Sequence, residues 1–123
     1  MKFSLRSRVK SFKYAFEGIA SMIREEHNSR IHVTVAVFAV ILGFILRISI
    51  SEWIEIIIVI GVVFITELIN SAAETISNLI DPEDNPRIKK IKDYTAASVL
   101  IAAIVAIITG ALIYIPAFFR LMK

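Results

Sequence analysis

Glu67-Leu-Ile-Asn70-Ser71-Ala-Ala-Glu74 sets two carboxylates inside an apolar run that covers residues 52–80. Steps of three, four and seven residues put Glu67, Asn70, Ser71 and Glu74 on one face of a helix. An acidic side chain at the centre of a bilayer costs roughly 2.5 to 3.5 kcal/mol on insertion scales, so that face has to meet water, protein or a cation. The run is also longer than a membrane is thick. With a rise of about 1.5 Å per residue, a hydrocarbon core entered near Trp53 is left near Ala73. Glu74 then falls about the far interface and Glu67 roughly 10 Å deeper.

The 123 residues are 57% hydrophobic with a mean hydropathy of +0.74, more apolar than a soluble domain of this size needs, and the charges fall in blocks. The sequence therefore reads as an all-α membrane protein. Cysteine is absent, which removes disulfides, iron–sulfur clusters and thiolate chemistry and leaves oxygen or histidine as metal ligands. The first thirty residues are basic but lack the apolar core and cleavage site of a signal peptide, so this segment is expected to stay on the mature chain. Basic residues flank hydrophobic segments without any nucleic-acid-binding motif, and anionic lipid headgroups are the simpler partner.

Leu5, Val9, Phe12, Phe16, Ile19 and Ile23 recur by threes and fours, opposite Lys10, Lys13, Glu17 and Arg24. This predicts an N-terminal amphipathic surface helix over 4–24, lying either in the headgroup plane or against the bundle. Three transmembrane helices are predicted over 31–50, 52–80 and 94–119, with Arg47 snorkelling out of the first and Ser51-Glu52 linking it to the second. The stretch from Asp81 to Lys92 reads as a solvated loop of mixed charge. Ser98, Ala102, Ala106 and Gly110 form a small-residue stripe on the third span, where a neighbouring helix is expected. Positive charge precedes span one and lies between spans two and three, which predicts a cytoplasmic N-terminus and an external C-terminus. No internal repeat divides the chain, and a single domain over 1–123 is expected.

This topology collects Glu25-Glu26-His27-Asn28, Asn70 with Glu74, and Lys92-Asp93 at the cytoplasmic interface. Two carboxylates plus phosphate oxygens is how Mg²⁺ is usually held, and Glu26 and Glu74 suit that role. Lys92 suits phosphate neutralisation, and Glu67 suits proton abstraction from a hydroxyl rising out of the bilayer. Singly, each has a plainer reading. Glu25 and Glu26 pass for a solvated pair, Asp93 for a helix N-cap, His32 for a packing histidine and Trp53, Tyr14, Tyr94 and Tyr114 for interfacial anchors. A noncatalytic ion or proton conduit, or an assembly subunit, would use Glu67 and Glu74 as relay or packing groups. Neither the P-loop nor the kinase glycine-rich loop occurs, so any ATP site is built by helices.

Glu67-x-x-Asn70-Ser71-Ala-x-Glu74, Lys92-Asp93 followed by Val99-Leu100-Ile101, and Glu26 with Arg30 resemble the prokaryotic diacylglycerol kinase and undecaprenol kinase family over nearly the whole chain. The resemblance implies a lipid kinase of the bacterial inner membrane, built as a homotrimer with active sites between subunits. It implies Mg²⁺ held by Glu26 and Glu74 on ATP, a nucleotide site that includes Asn70, Lys92 and Asp93, and Glu67 as general base. Lys10 and Tyr14 match positions on the surface helix expected to close over the nucleotide. Asn78 stands where relatives often carry aspartate, and residues 82–86 lack a Tyr-His pair frequent in the family. Glu25-Glu26-His27-Asn28, Ile50-Ser-Glu-Trp53 and Tyr114-Ile-Pro116 resemble the Gram-positive branch, which puts undecaprenol first and diacylglycerol second as the lipid alcohol.

Overall fold

The computed structural model describes residues 4–80 and 85–123. Asp81, Pro82, Glu83 and Asp84, part of the expected loop, lie outside the described residues. Helices occupy Leu5–Glu25 (α1), His27–Ile45 (α2), Ile50–Ile80 (α3) and Pro86–Leu121 (α4), with no strand among the described residues. The last three are each long and apolar enough to cross a membrane. Most of their large apolar side chains point outward, as a lipid-facing surface requires.

The break between α1 and α2 falls on Glu26, whose backbone is extended (φ −99°, ψ 119°). Arg30, one turn into α2, folds back to repair it: its Nε donates to the Ile23 carbonyl at 3.0 Å and its guanidinium also donates to the Arg24 carbonyl. These are carbonyls that the end of α1 would otherwise leave unpaired. Only the last turns of α1 are covered, with Met22 buried and Ile23 half-buried, while Leu5, Val9, Phe12 and Phe16 stand exposed.

The first span does not reach residue 50. It ends at Ile45 because Arg47 enters the left-handed region (φ 51°) and closes a Schellman turn, in which Ile48 N–H donates to Gly43 O at 3.2 Å and Arg47 N–H to Phe44 O at 3.3 Å. Ser49 and Glu52 then form a capping box. Glu52 N–H donates to Ser49 Oγ at 3.3 Å, and Ser49 N–H donates to Glu52 Oε2 at 2.7 Å. Thus α3 starts at Ile50, and Ser51-Glu52 belongs to its first turn rather than to a link.

The third apolar helix likewise starts earlier than residue 94. Asn85 caps it by accepting from Arg87 N–H at 2.9 Å, with Pro86 in the first turn, where its missing donor costs nothing. Lys89, Lys90 and Lys92 are therefore helical rather than loop residues, and Asp93 is not an N-cap.

α3 and α4 make the most extensive contact in the molecule. On α4 the small-residue stripe is turned inward: Ala102 is buried and Ser98, Ala106 and Gly110 half-buried, whereas Ile101, Ile104, Ile107 and Ile108 are exposed. At the α2–α3 turn, Leu46, Ile48 and Ile56 pack with Ile113 and Ala117 of α4, flanked by Leu42, Trp53, Ile60 and Tyr114. Tyr114 Oη donates to the Ala39 carbonyl at 2.8 Å, and Arg120 pairs with Glu52 at 2.9 Å. These contacts fix one end of the bundle. The polar residues lie at the other.

Candidate active site at the polar end of the bundle

Because the turn over 46–49 sends α3 back along α2, steps toward the start of α2 and toward the end of α3 lead the same way. The reference level is the pair His32 and Glu67, with Nε2 and Oε1 3.0 Å apart. The Glu67 side chain is 3% exposed and that of His32 21%. Oε1 thus has an imidazole at ion-pair range and no hydrogen-bond partner among the described residues.

Ser29, three residues before His32, and Ser71, four after Glu67, lie roughly 4.5 to 6 Å nearer the bundle end. Both hydroxyls are buried without a hydrogen-bond partner among the described residues. Polar atoms left so are uncommon, since each forfeits about 1–3 kcal/mol. A rotated hydroxyl bonding the preceding turn, a water, or a group outside the single chain would satisfy them. Asn70 is half-buried on the same face.

One further turn out come Glu26, six residues before His32, and Glu74, seven after Glu67, at roughly 9 and 10 Å along the axis. Both are half-buried, and neither carboxylate has an ion-pair partner among the described residues. Beyond them Lys92 Nζ donates to Asn78 Oδ1 at 2.7 Å, which ties the start of α4 to the end of α3. Asp93 is exposed and paired with Lys89 at 2.6 Å. Lys10 and Tyr14 are exposed on α1.

The structure thus ranks the expected residues by depth, from Glu67 inward to Lys92 outward. Sequence reading passed over His32 as a packing residue and attached no task to Arg30. Counting alone would not have paired them: His32 lies 13 residues before the end of α2 and Glu67 17 after the start of α3, about one helical turn off level. Among the described residues no three His, Asp or Glu side chains converge as a metal cage. Two free carboxylates alone still match a cation that takes its remaining ligands from phosphate and water.

From His32 a groove of about 420 Å³ runs between α2, α3 and α4 to Tyr114, walled by residues such as Val35, Leu42, Val63 and Ala106. A buried carboxylate against the histidine that begins an apolar groove, below a tier of carboxylates, amides and a lysine, describes an integral-membrane helical protein with one chemically equipped end.

The family profile described as prokaryotic diacylglycerol kinase matches residues 13–114. The chain is 38% identical over 107 residues to the undecaprenol kinase of Bacillus subtilis, covering 87% of each. It is 34% identical over 110 residues to a Haemophilus influenzae diacylglycerol kinase, covering 86% of this chain and 91% of that one. A Synechocystis diacylglycerol kinase is 31% identical over 113 residues, which are 91% of this chain but 65% of that longer protein. The chain belongs to the prokaryotic diacylglycerol kinase family. It is a lipid kinase, a membrane-embedded phosphotransferase that uses ATP and a lipid substrate, and the noncatalytic conduit is set aside.

Proposed function

We propose that the chain transfers the γ-phosphoryl group of Mg²⁺-ATP to the terminal hydroxyl of a membrane lipid alcohol, undecaprenol before diacylglycerol. The observation that carries this reading is the Glu67 carboxylate, buried against His32, itself a lining residue of the apolar groove, with Oε1 free of hydrogen bonds. The stronger similarity to an undecaprenol kinase than to the diacylglycerol kinases compared supports the choice of lipid.

Glu67 accepts the hydroxyl proton as the lipid oxygen attacks the γ-phosphorus. The bond from that phosphorus to the β–γ bridging oxygen breaks, and ADP leaves with the electron pair. Glu26 and Glu74 would hold Mg²⁺, which would neutralise charge on the phosphate oxygens. Lys92 exchanges Asn78 for a phosphate oxygen, and Asn70 and Asp93 complete the nucleotide site. Lys10 and Tyr14 lie on α1, whose exposed apolar stripe supports a position in the headgroup plane with the basic side toward nucleotide. We place this end on the cytoplasmic side of the inner membrane, and the unpartnered Ser29 and Ser71 hydroxyls support a homotrimer or bound substrate that completes the site.

Purified protein in lipid nanodiscs with radiolabelled ATP, Mg²⁺ and either undecaprenol or diacylglycerol tests the proposal. Undecaprenyl phosphate should form faster, and Glu67→Gln should lower kcat by about 10² to 10⁴, the usual worth of a general base. Preferential labelling of diacylglycerol would reverse the lipid assignment. Full turnover by Glu67→Gln would remove the base.

A further inference from the structure

Glu67 is the deepest charged group described in the bundle, and one polar side chain stands against it. His32 approaches Oε1 at 3.0 Å from α2, an element that contributes no other polar group to the groove. Facing His32 across the groove, α3 offers Ile56, Val59, Ile60, Val63 and Phe64. The sole titratable group that α4 brings to that lining is Tyr114, whose hydroxyl is already engaged at Ala39. A carboxylate cut off from water in this way needs a polar neighbour to hold one orientation.

An imidazole aligned on Oε1 would spend that oxygen on a hydrogen bond. Here the ring lies at ion-pair distance without one, so it limits the carboxylate's rotation and leaves accepting capacity on Oε1. His32 itself lines the groove, so the residue that stands beside Glu67 Oε1 is also part of the apolar channel's wall.

We propose that His32 is the positioning residue for Glu67, holding its carboxylate toward the hydroxyl of the acceptor lipid, an inference that rests on Glu67 as the base. His32 does not touch phosphate in this scheme, and its effect passes entirely through Glu67. Side chains that act as a unit are strongly non-additive, which makes the idea measurable.

The experiment is a double-mutant cycle on the full chain in nanodiscs, with His32→Ala, Glu67→Gln and both together, assayed with saturating lipid. His32→Ala should lower kcat about tenfold or more, with KM for ATP within about twofold of the parent. In the Glu67→Gln background the same change should do nothing further. His32→Gln, which keeps a polar side chain of similar reach beside Glu67, should recover most of the lost rate. If His32→Ala does not yield folded protein, His32→Leu keeps comparable volume without a donor and takes its place. A kcat within twofold of the parent, or an equal fractional loss with and without Glu67, would overturn the proposal. Full turnover by Glu67→Gln would instead show that the base was misassigned, which separates the two failures.

Discussion

Gly43 has to be glycine for a reason that can be measured. A Cβ built there would lie 2.8 Å from Trp53 Cη2, 2.9 Å from Cζ2 and 3.1 Å from Ile48 Cδ1. Carbon atoms are comfortable from about 3.5 Å, so the indole would have to retreat by roughly 0.7 Å. Its escape is blocked. Phe44 packs on it at a centroid distance of 4.8 Å, and the cluster of Leu46, Ile48 and Ile56 lies against it. Overpacking of this kind costs about 1–3 kcal/mol, while replacing glycine by alanine within a helix returns about 0.5–1 kcal/mol. Gly43→Ala is expected to destabilise the protein by about 0.5–2 kcal/mol. Gly61 supplies the control. Nothing lies within 4 Å of a Cβ there, so the helix contribution acts alone and Gly61→Ala should stabilise by about 0.5–1 kcal/mol. Unfolding in mixed detergent micelles, followed by the fluorescence of Trp53, the one tryptophan, reads both variants on the same scale. Finding Gly43→Ala as stable as Gly61→Ala would refute the packing argument.

Arg47→Gly should stabilise the α2–α3 turn by about 0.5–1 kcal/mol, since a left-handed backbone (φ 51°) strains any residue with a Cβ; a lower unfolding midpoint in the same micelles would contradict it. Arg120→Gln removes the guanidinium that meets both Glu52 oxygens, at 2.9 and 3.0 Å. With the Arg120 side chain 56% exposed, the loss should be about 0.5–1 kcal/mol and shrink with added salt. Glu52→Ala should cost about 1 kcal/mol more than Arg120→Gln, because it also opens the capping box; equal losses would show that the box contributes nothing.

Sequence alone determined the elements and the chemistry available to them. Apolar runs of membrane-spanning length, the i, i+3, i+4 and i+7 face of Glu67, Asn70, Ser71 and Glu74, and the basic N-terminal stripe are local patterns, and local hydrogen bonding makes them helices. The boundaries were less legible where short-range chemistry outweighed hydropathy. Arg47 terminates α2 by adopting a positive φ that residue type alone does not announce, and Asn85-Pro86 starts α4 inside what reads as a charged loop. Tertiary structure decided which residues meet. That His32 faces Glu67 and that Lys92 reaches Asn78 depend on the turn over 46–49 and on α3 packing against α4. Contacts of this kind join residues far apart in the chain, and their energy resides in the relative placement of helices, which no single periodic pattern encodes. The carboxylate face was written in the sequence, but the partner that orients its deepest member was supplied by the fold.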